Sequence, residues 1–238
     1  NIFGLSRDDN AASLRELAAA SPKPAAVTML AQAATGATHR HRGLMFLRSD
    51  AHRPAYEDFT KALQSDPNDA VALDGLVRAG AALSRIDDVR GALTKLASAP
   101  ANTSAKLALS KVLASQGAVE EAAGIPVSLL QSDPGNVAAL EQLASILSDI
   151  GDATRLEPVV ARLVAEAPRN TWSHYYAGSL FFMQNRLDMA VQAARNSVGL
   201  DPANAKAQNL LGACLASLGQ GDAARAAGVR AIHATASR

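Results

Sequence analysis

Apolar residues recur three or four positions apart along most of the chain, the spacing that gives an α-helix one buried face. From 201 to 227, Ala, Leu and Gly fill these positions, and few of the side chains there could take part in chemistry. The helical segments come in pairs, and a turn-forming residue breaks four of the pairs near the middle, at Gly117, Gly151, Asn185 and Gly219. The pattern predicts helix hairpins.

The hairpins repeat with a nearly fixed period that is marked by proline. Successive repeats end around Pro67, Pro100, Pro134, Pro168 and Pro202, at intervals of 33, 34, 34 and 34 residues. Two residues after each proline comes Asn or Asp, an arrangement that stops one helix and caps the next. We predict six repeats, at 36–69, 70–102, 103–136, 137–170, 171–204 and 205–238. Residues 1–35 predict a further helical pair, either an N-terminal cap or a degenerate repeat.

Equivalent positions of the repeats carry equivalent residues. Counted from three residues after the proline, position 7 is Leu76, Leu109, Leu143, Ala177 or Leu211, which predicts a buried stripe on the first helix. Position 8 of the first helix and position 20 of the second are mostly small, so the two helices can approach closely. Pro126 and Pro158 fall inside second helices, where we expect a kink or local unwinding.

This combination of Gly or Ala at position 8, an apolar residue at 11, Ala at 20 and Pro at 32 resembles the tetratricopeptide repeat. The resemblance implies an all-α fold, a right-handed α-solenoid of stacked antiparallel helix hairpins. It also implies that the outward side of the first helices lines a concave groove for peptides or partner helices.

Candidate partner-binding residues are those that this register directs toward the groove. They are Arg40, Arg48, Arg78, Lys111, Trp172, Tyr175, Tyr176, Ser179, Phe182, Lys206 and Asn209. The early basic residues could receive an acidic segment or a C-terminal carboxylate, or they could form a solvated charged face.

Aromatic residues are concentrated in the fifth repeat. Five of the nine aromatic residues in the chain lie there: Trp172, Tyr175, Tyr176, Phe181 and Phe182. Phe181 falls at a core position. The other four either form an exposed contact patch or pack on neighbouring helices, and the sequence leaves both open.

Composition and charge limit the other classes of partner. The formal net charge is +1 and the isoelectric point is near 8.1, so nucleic acid and anionic membrane surfaces are disfavoured. No apolar run approaches the ~20 residues of a membrane span. The single cysteine, Cys214, excludes an intramolecular disulfide framework, and the localisation stays open.

Candidate catalytic and metal-binding residues are few. His39 and His41 are two residues apart, on different sides of a helix, and His52 lies in the nearby turn, so they make a poor metal site. His174 and Cys214 occupy positions typical of packing. No phosphate-cradling loop or hydrolase motif is present, so we expect no cofactor and no catalytic residue.

The expected function is a non-enzymatic scaffold that binds a peptide or helix of a partner in the concave groove. The alternative is a regulatory or tethering arm of a larger enzyme whose catalytic domain lies outside this chain. The last repeat lacks a polar helix to cover its final face, which predicts either a fragment of a longer protein or self-association around Val229 and Ile232.

Overall fold

Helices make up the fold. A computed structural model describes the backbone of residues 24–236 and the side chains of 35–234. This part of the chain contains α-helices and no strand. The helices are α1 Pro24–Arg48, α2 His52–Ser65, α3 Ala70–Ala82, α4 Ile86–Ala97, α5 Thr103–Ser115, α6 Val119–Ser132, α7 Val137–Asp149, α8 Ala153–Glu166, α9 Thr171–Met183, α10 Leu187–Leu200, α11 Ala205–Ser217 and α12 Gly221–Ala236. Each predicted repeat from residue 70 onward thus holds one first helix and one second helix.

The Asn or Asp that follows each proline begins a first helix, as predicted. Asp69, Asn102, Asn136, Asn170 and Asn204 are the N-caps of α3, α5, α7, α9 and α11, and each side chain accepts a hydrogen bond from a backbone N–H in the first turn. A cap of this kind stabilises a helix by roughly 1 kcal/mol. The same residues therefore set both the period and the first-helix starts.

The predicted mid-repeat breaks are confirmed as left-handed turns. Gly117, Gly151 and Gly219 have φ between 72° and 80°, and Asn185 has φ 57°. Asp50 and Ser84 occupy the same conformation at the ends of α1 and α3. Glycine and asparagine adopt this backbone at little cost, which is why the breaks were readable in the sequence.

The chain divides into two compact units, one ending at Arg85 and the other beginning at Ile86, inside the predicted second repeat. In the N-terminal unit, α1, α2 and α3 pack around Phe59, which is fully buried. The Phe59 ring faces Gly43 and Gly75, and a Cβ on Gly75 would stand 2.3 Å from its Cζ. Close approach of the ring is possible because these two positions carry no side chain.

The C-terminal unit stacks α4 to α12 around two apolar clusters. Leu140, Leu147, Leu156 and Leu163 belong to the cluster around α7 and α8, and Cys214 belongs to the cluster around α11. Each first helix packs against the first helix of the next repeat, α5 on α7, α7 on α9 and α9 on α11. Grooves open between the second helices α6 and α8 and between α8 and α10.

The local unwinding expected at the two helix-internal prolines does not occur. Helices α6 and α8 run without interruption through Pro126 and Pro158. Pro126 cannot donate to the Ala122 carbonyl one turn earlier, but the Ser110 hydroxyl of α5 donates to that oxygen at 2.7 Å instead. A neighbouring helix thus supplies the hydrogen bond that the proline removes.

The expected boundary between residues 35 and 36 falls inside α1, which continues unbroken from Pro24 to Arg48. Gly36 lies within it and packs closely on α2, since a Cβ there would stand 2.7 Å from the Ser65 Cβ. This glycine is a helix contact rather than a helix stop. The rest of the predicted N-terminal pair, residues 1–23, lies outside the described residues.

Candidate functional site

The outward side of α5, α7, α9 and α11, named here the first-helix face, carries the candidate site of the C-terminal unit. A cavity of about 350 Å³ opens on it, lined by residues that include Lys111, Ser145, Asp149 and Lys206. These side chains come from α5, α7 and α11, so first helices from three repeats border one recess. The first-helix face is therefore concave.

Both signs of charge are present in the recess. Lys111 and Lys206 are exposed, and Asp149 is exposed between them on α7. Glu141, one helix away from Lys111, is half-buried, and its desolvation raises the pKa of its carboxyl although Asn170 and Lys111 act in the opposite sense. The Asn170 amide donates to Glu141 Oε1 at 2.6 Å. Glu141 is thus engaged by Asn170, and the accessible charges of the recess are Lys111, Lys206 and Asp149.

Aromatic rings lie on α9 beside this recess. The Trp172 ring meets the Tyr175 ring edge to face, with centroids 5.5 Å apart, and stacks obliquely on Tyr176 at 6.1 Å. Trp172 and Tyr175 are half-buried and pack against the α7–α8 core. Burial raises the pKa of Tyr175, with a contribution from the nearby Asp149 carboxylate. Parts of two rings therefore remain open to solvent.

Tyr176 corrects the expectation of an exposed four-residue patch. It is 6% exposed and belongs to the core cluster. Burial raises its pKa far above the ordinary tyrosine value, and the side chain of Ser145 on α7 acts in the opposite sense. First helices pack side by side, so the flank of α9 that carries Tyr176 is covered by α7. Of the two alternatives that the sequence left open, Tyr176 therefore takes the second and packs on a neighbouring helix.

The other predicted residues of this unit differ in accessibility. Ser179 is half-buried, and its hydroxyl lies 2.7 Å from that of Ser148. Phe182 is 36% exposed near the end of α9. Lys206 and Asn209 are exposed on α11. Trp172, Tyr175, Phe182, Lys111, Lys206 and Asn209 are thus the predicted site residues with surface to offer in this unit.

Three predicted site residues lie in the N-terminal unit. Arg48 and Arg78 are exposed on α1 and α3. Arg40 donates to Asp69 Oδ2 at 2.9 Å, while the other oxygen of Asp69 caps α3. A ligand carboxylate at Arg40 would have to compete with this intramolecular pair.

Residues that the repeat register directs toward the groove, but that are not among the candidate binding residues, also line the recess. Ser145, Asp149 and Gln142 of α7 line it, and Gln142 donates to the Ser110 hydroxyl. These residues stand at groove-facing positions of an otherwise ordinary amphipathic helix. Polar and charged residues are common on such a face, so their residue types alone did not mark them as binding residues.

Catalytic candidates have structural partners. His39 Nδ1 lies 3.0 Å from Asp58, a buried carboxylate that Arg42 also holds through two hydrogen bonds. The His174 Nε2 donates to the Pro168 carbonyl. Cys214 is buried, and burial raises the pKa of its thiol. In residues 35–234, no group of three His, Cys, Asp or Glu side chains is arranged to hold a metal.

None of the described helices combines the length and apolar character that a bilayer crossing requires.

Solved structures with similar folds carry tetratricopeptide repeats. A thermophilic tetratricopeptide-repeat protein of Thermus thermophilus has a TM-score of 0.61 and 18% identity over 76% of this chain and 99% of its own. A tetratricopeptide-repeat protein from Parabacteroides merdae has a TM-score of 0.57 and 13% identity over 81% and 77%. A chain of the Cut9–Hcn1 hetero-tetramer of the APC/C has a TM-score of 0.63 and 14% identity over 86% of this chain and 41% of its own.

The fold is therefore that of the tetratricopeptide-repeat proteins, and the predicted α-solenoid of stacked antiparallel helix hairpins is confirmed. At these identities the likeness establishes the fold alone. No family model and no curated protein sequence matches this chain. Solenoids of this kind are in general protein-interaction scaffolds.

Proposed function

We propose that the chain is a non-enzymatic scaffold that binds a peptide or helix of a partner protein on the first-helix face of its C-terminal unit. The observation that carries the proposal is the recess bordered by α5, α7 and α11, with partly exposed rings on α9 beside it. A stacked solenoid presents such a face as one continuous surface, which suits an extended ligand.

Two kinds of contact would supply the binding energy. Trp172 and Tyr175 offer large apolar area at small side-chain entropy cost, and rings of this kind contribute ~2 kcal/mol or more at a binding hot spot. Lys111 and Lys206 would orient the ligand by pairing with its carboxylates. The buried Tyr176 ring contacts both of the other rings and supports them.

The test is crosslinking of partner proteins in the native host, because two of the proposed contact residues are lysines. Amine-reactive crosslinks to a partner should concentrate on Lys111 and Lys206 rather than on Lys95, which is exposed on the second helix α4. Trp172→Ala with Tyr175→Ala should remove these crosslinks without loss of helicity.

A matched control is available on the second helices. Lys111→Glu with Lys206→Glu should weaken the capture of the crosslinked partner, whereas Lys95→Glu with Arg195→Glu, an equal change in charge at exposed positions, should not. If the partner is captured equally by all variants, or if its crosslinks map to the second helices, the first-helix face is not the binding site.

A further inference from the structure

Two N-cap side chains of the first helices use their second polar atom to contact the first helix of the preceding repeat. One oxygen of Asp69 caps α3, and the other accepts from Arg40 of α1 at 2.9 Å. The Asn170 oxygen caps α9, and its amide donates to Glu141 of α7 at 2.6 Å. In both pairs the two residues are 29 positions apart. The repeat thus provides a defined partner for the tip of the cap.

Asn204, the cap of α11, has no such partner. The residue is 3% exposed, and its Oδ1 accepts from the Ala207 N–H. Its Nδ2 is buried and has no hydrogen-bond partner within residues 35–234. The residue 29 positions earlier is Tyr175, a half-buried ring where the preceding repeat has Glu141. A buried N–H without an acceptor is unfavourable, so the last repeat lacks a carboxylate that its predecessor has.

The Asn170 contact indicates which side of α11 lacks this carboxylate. Glu141 reaches Asn170 from α7 to α9, so the equivalent contact at Asn204 comes from α9. Helix α9 carries the partly exposed rings of the first-helix face and lies on the side of α11 away from the end of the chain. The missing partner is therefore not one that a later repeat would supply.

The charges around the Asn204 amide are of both signs. Lys206, two positions later, is exposed and forms no ion pair with another described residue. The first turn of α11 contains no acidic side chain, although a helix N-terminus favours an anion. Two carboxylates act against an anion, Asp149 across the recess and Asp201 in the preceding turn, and neither accepts from Asn204. An anion here would gain a donor, a lysine and a helix terminus, at an affinity that Asp149 reduces.

We propose that Asn204 and Lys206 form a subsite for a carboxylate of the partner segment, in the place that Glu141 has in the preceding repeat. Asn204 Nδ2 donates to one carboxylate oxygen, and Lys206 pairs with the other. Tyr175 is half-buried, so its ring can move aside to admit the ligand. This inference rests on the proposed function, because the subsite is part of the first-helix face. It adds an acidic residue of the partner as the group that is recognised.

The experiment follows the side-chain amide signals of Asn204 and Asn170 by NMR in the isotope-labelled full chain. The probe is glutamate blocked at both ends as its N-acetyl methylamide, and glutamine blocked in the same way is the neutral control. At constant ionic strength, the glutamate probe should move the Asn204 signal along a saturable curve in the millimolar range. The Asn170 signal should stay in place, because Glu141 already occupies its amide. The glutamine probe should give no saturable shift.

Substitutions test the contributing groups one at a time. Lys206→Met should weaken binding of the glutamate probe by about 10-fold, whereas Lys111→Met on α5 should change it by less than about 3-fold. Asp149→Asn should strengthen binding by about 3-fold, because it removes an opposing carboxylate. Asn204→Ser keeps a good N-cap but has no amide, so binding followed at the Lys206 backbone N–H should be lost.

Three results would overturn the proposal. The first is an Asn204 signal that shows no saturable shift, or one that shifts no more than the Asn170 signal. The second is a cross-peak between the Asn204 amide and a bound water that persists at the highest probe concentration, because water then fills the subsite. The third is Lys206→Met without effect. None of these results alters partner crosslinks to the first-helix face, so failure of the subsite is distinguishable from failure of the proposed function.

Discussion

At the residue scale, the N-terminal unit depends on two glycines that make room for one ring. Phe59 is fully buried, and the space it fills lies against Gly43 on α1 and Gly75 on α3. In the middle of a helix, glycine costs roughly 1 kcal/mol relative to alanine. The chain accepts this cost here because any larger residue would displace the ring.

Gly75→Ala should therefore destabilise the protein, against the usual benefit of alanine in a helix. The new Cβ would meet the rigid Phe59 ring, and overpacking of this kind costs about 1–3 kcal/mol. Gly91→Ala on α4 is the matched control, because nothing lies within 4 Å of its Cβ position, and it should stabilise by roughly 0.5–1 kcal/mol. Urea unfolding measures both, and a stabilising Gly75→Ala would contradict the packing described.

The buried carboxyl of Asp58 makes the stability of this unit depend on pH. The Arg42 guanidinium, with a smaller contribution from His39, holds the pKa of the Asp58 carboxyl below its ordinary value of 3.8. A carboxyl with a lower pKa in the folded state stabilises the fold above its unfolded pKa, and this stabilisation is lost as pH falls through the folded pKa.

Asp58→Asn should lower the stability of the N-terminal unit at pH 7 by about 1–3 kcal/mol, because the Arg42 hydrogen bonds weaken. The difference from the wild type should shrink as pH falls below 3.8 toward the lowered pKa of the folded-state carboxyl, because the wild-type side chain then becomes protonated as well. Amide hydrogen exchange of residues 36–69 at pH 7 measures the loss of stability, and unfolding monitored at low pH measures how the difference shrinks. A difference that does not depend on pH would exclude Asp58 ionisation as the cause.

At the element scale, helix starts were predictable because the signals are local. Each cap side chain accepts a hydrogen bond from a backbone N–H two or three positions away, so the pattern can be recognised in a single sequence. The cap residues are Asp69, Asn102, Asn136, Asn170 and Asn204. The left-handed breaks at Gly117 and Asn185 are equally local.

Features that depend on contact between helices were not predictable in the same way. Alignment with the other repeats predicts the buried side of α9, but the packing of α7 beside it decides that Tyr176 is covered while Trp172 stays partly open. The pairing of Arg40 with Asp69 joins side chains 29 residues apart. The Ala122 carbonyl, which Pro126 leaves without its helical donor, likewise receives a hydrogen bond from Ser110 of another helix.

The relation between Ser110 and Pro126 can be measured as a coupling. Ser110→Ala leaves the Ala122 carbonyl without its donor and should cost about 1–3 kcal/mol. In a Pro126→Ala background the backbone N–H at 126 can serve this carbonyl, so the same serine change should cost distinctly less. A double-mutant cycle by urea unfolding gives the difference. Equal costs in the two backgrounds would mean that the serine does not compensate for the proline.

At the scale of the whole molecule, the C-terminal unit has two surfaces of different character. The first-helix face combines lysines with partly exposed rings, whereas the groove between α8 and α10 is mostly apolar, with Glu157 in its lining and Arg186 against Phe181 and Met189. The difference has one cause, since first helices pack on each other while second helices stand apart. A single repeat pattern thus gives the unit two surfaces of different shape and chemistry.

The buried thiol of Cys214 makes the protein suitable for optical distance measurements. The thiol is buried and burial raises its pKa, so maleimide reagents should not react with it in the folded protein. A cysteine introduced at any exposed position would then carry a dye as the sole labelled site. Trp172 is the only indole in the chain and can serve as the energy donor. A dye on α1 would report the distance between that helix and α9, and thus the spacing between the two units.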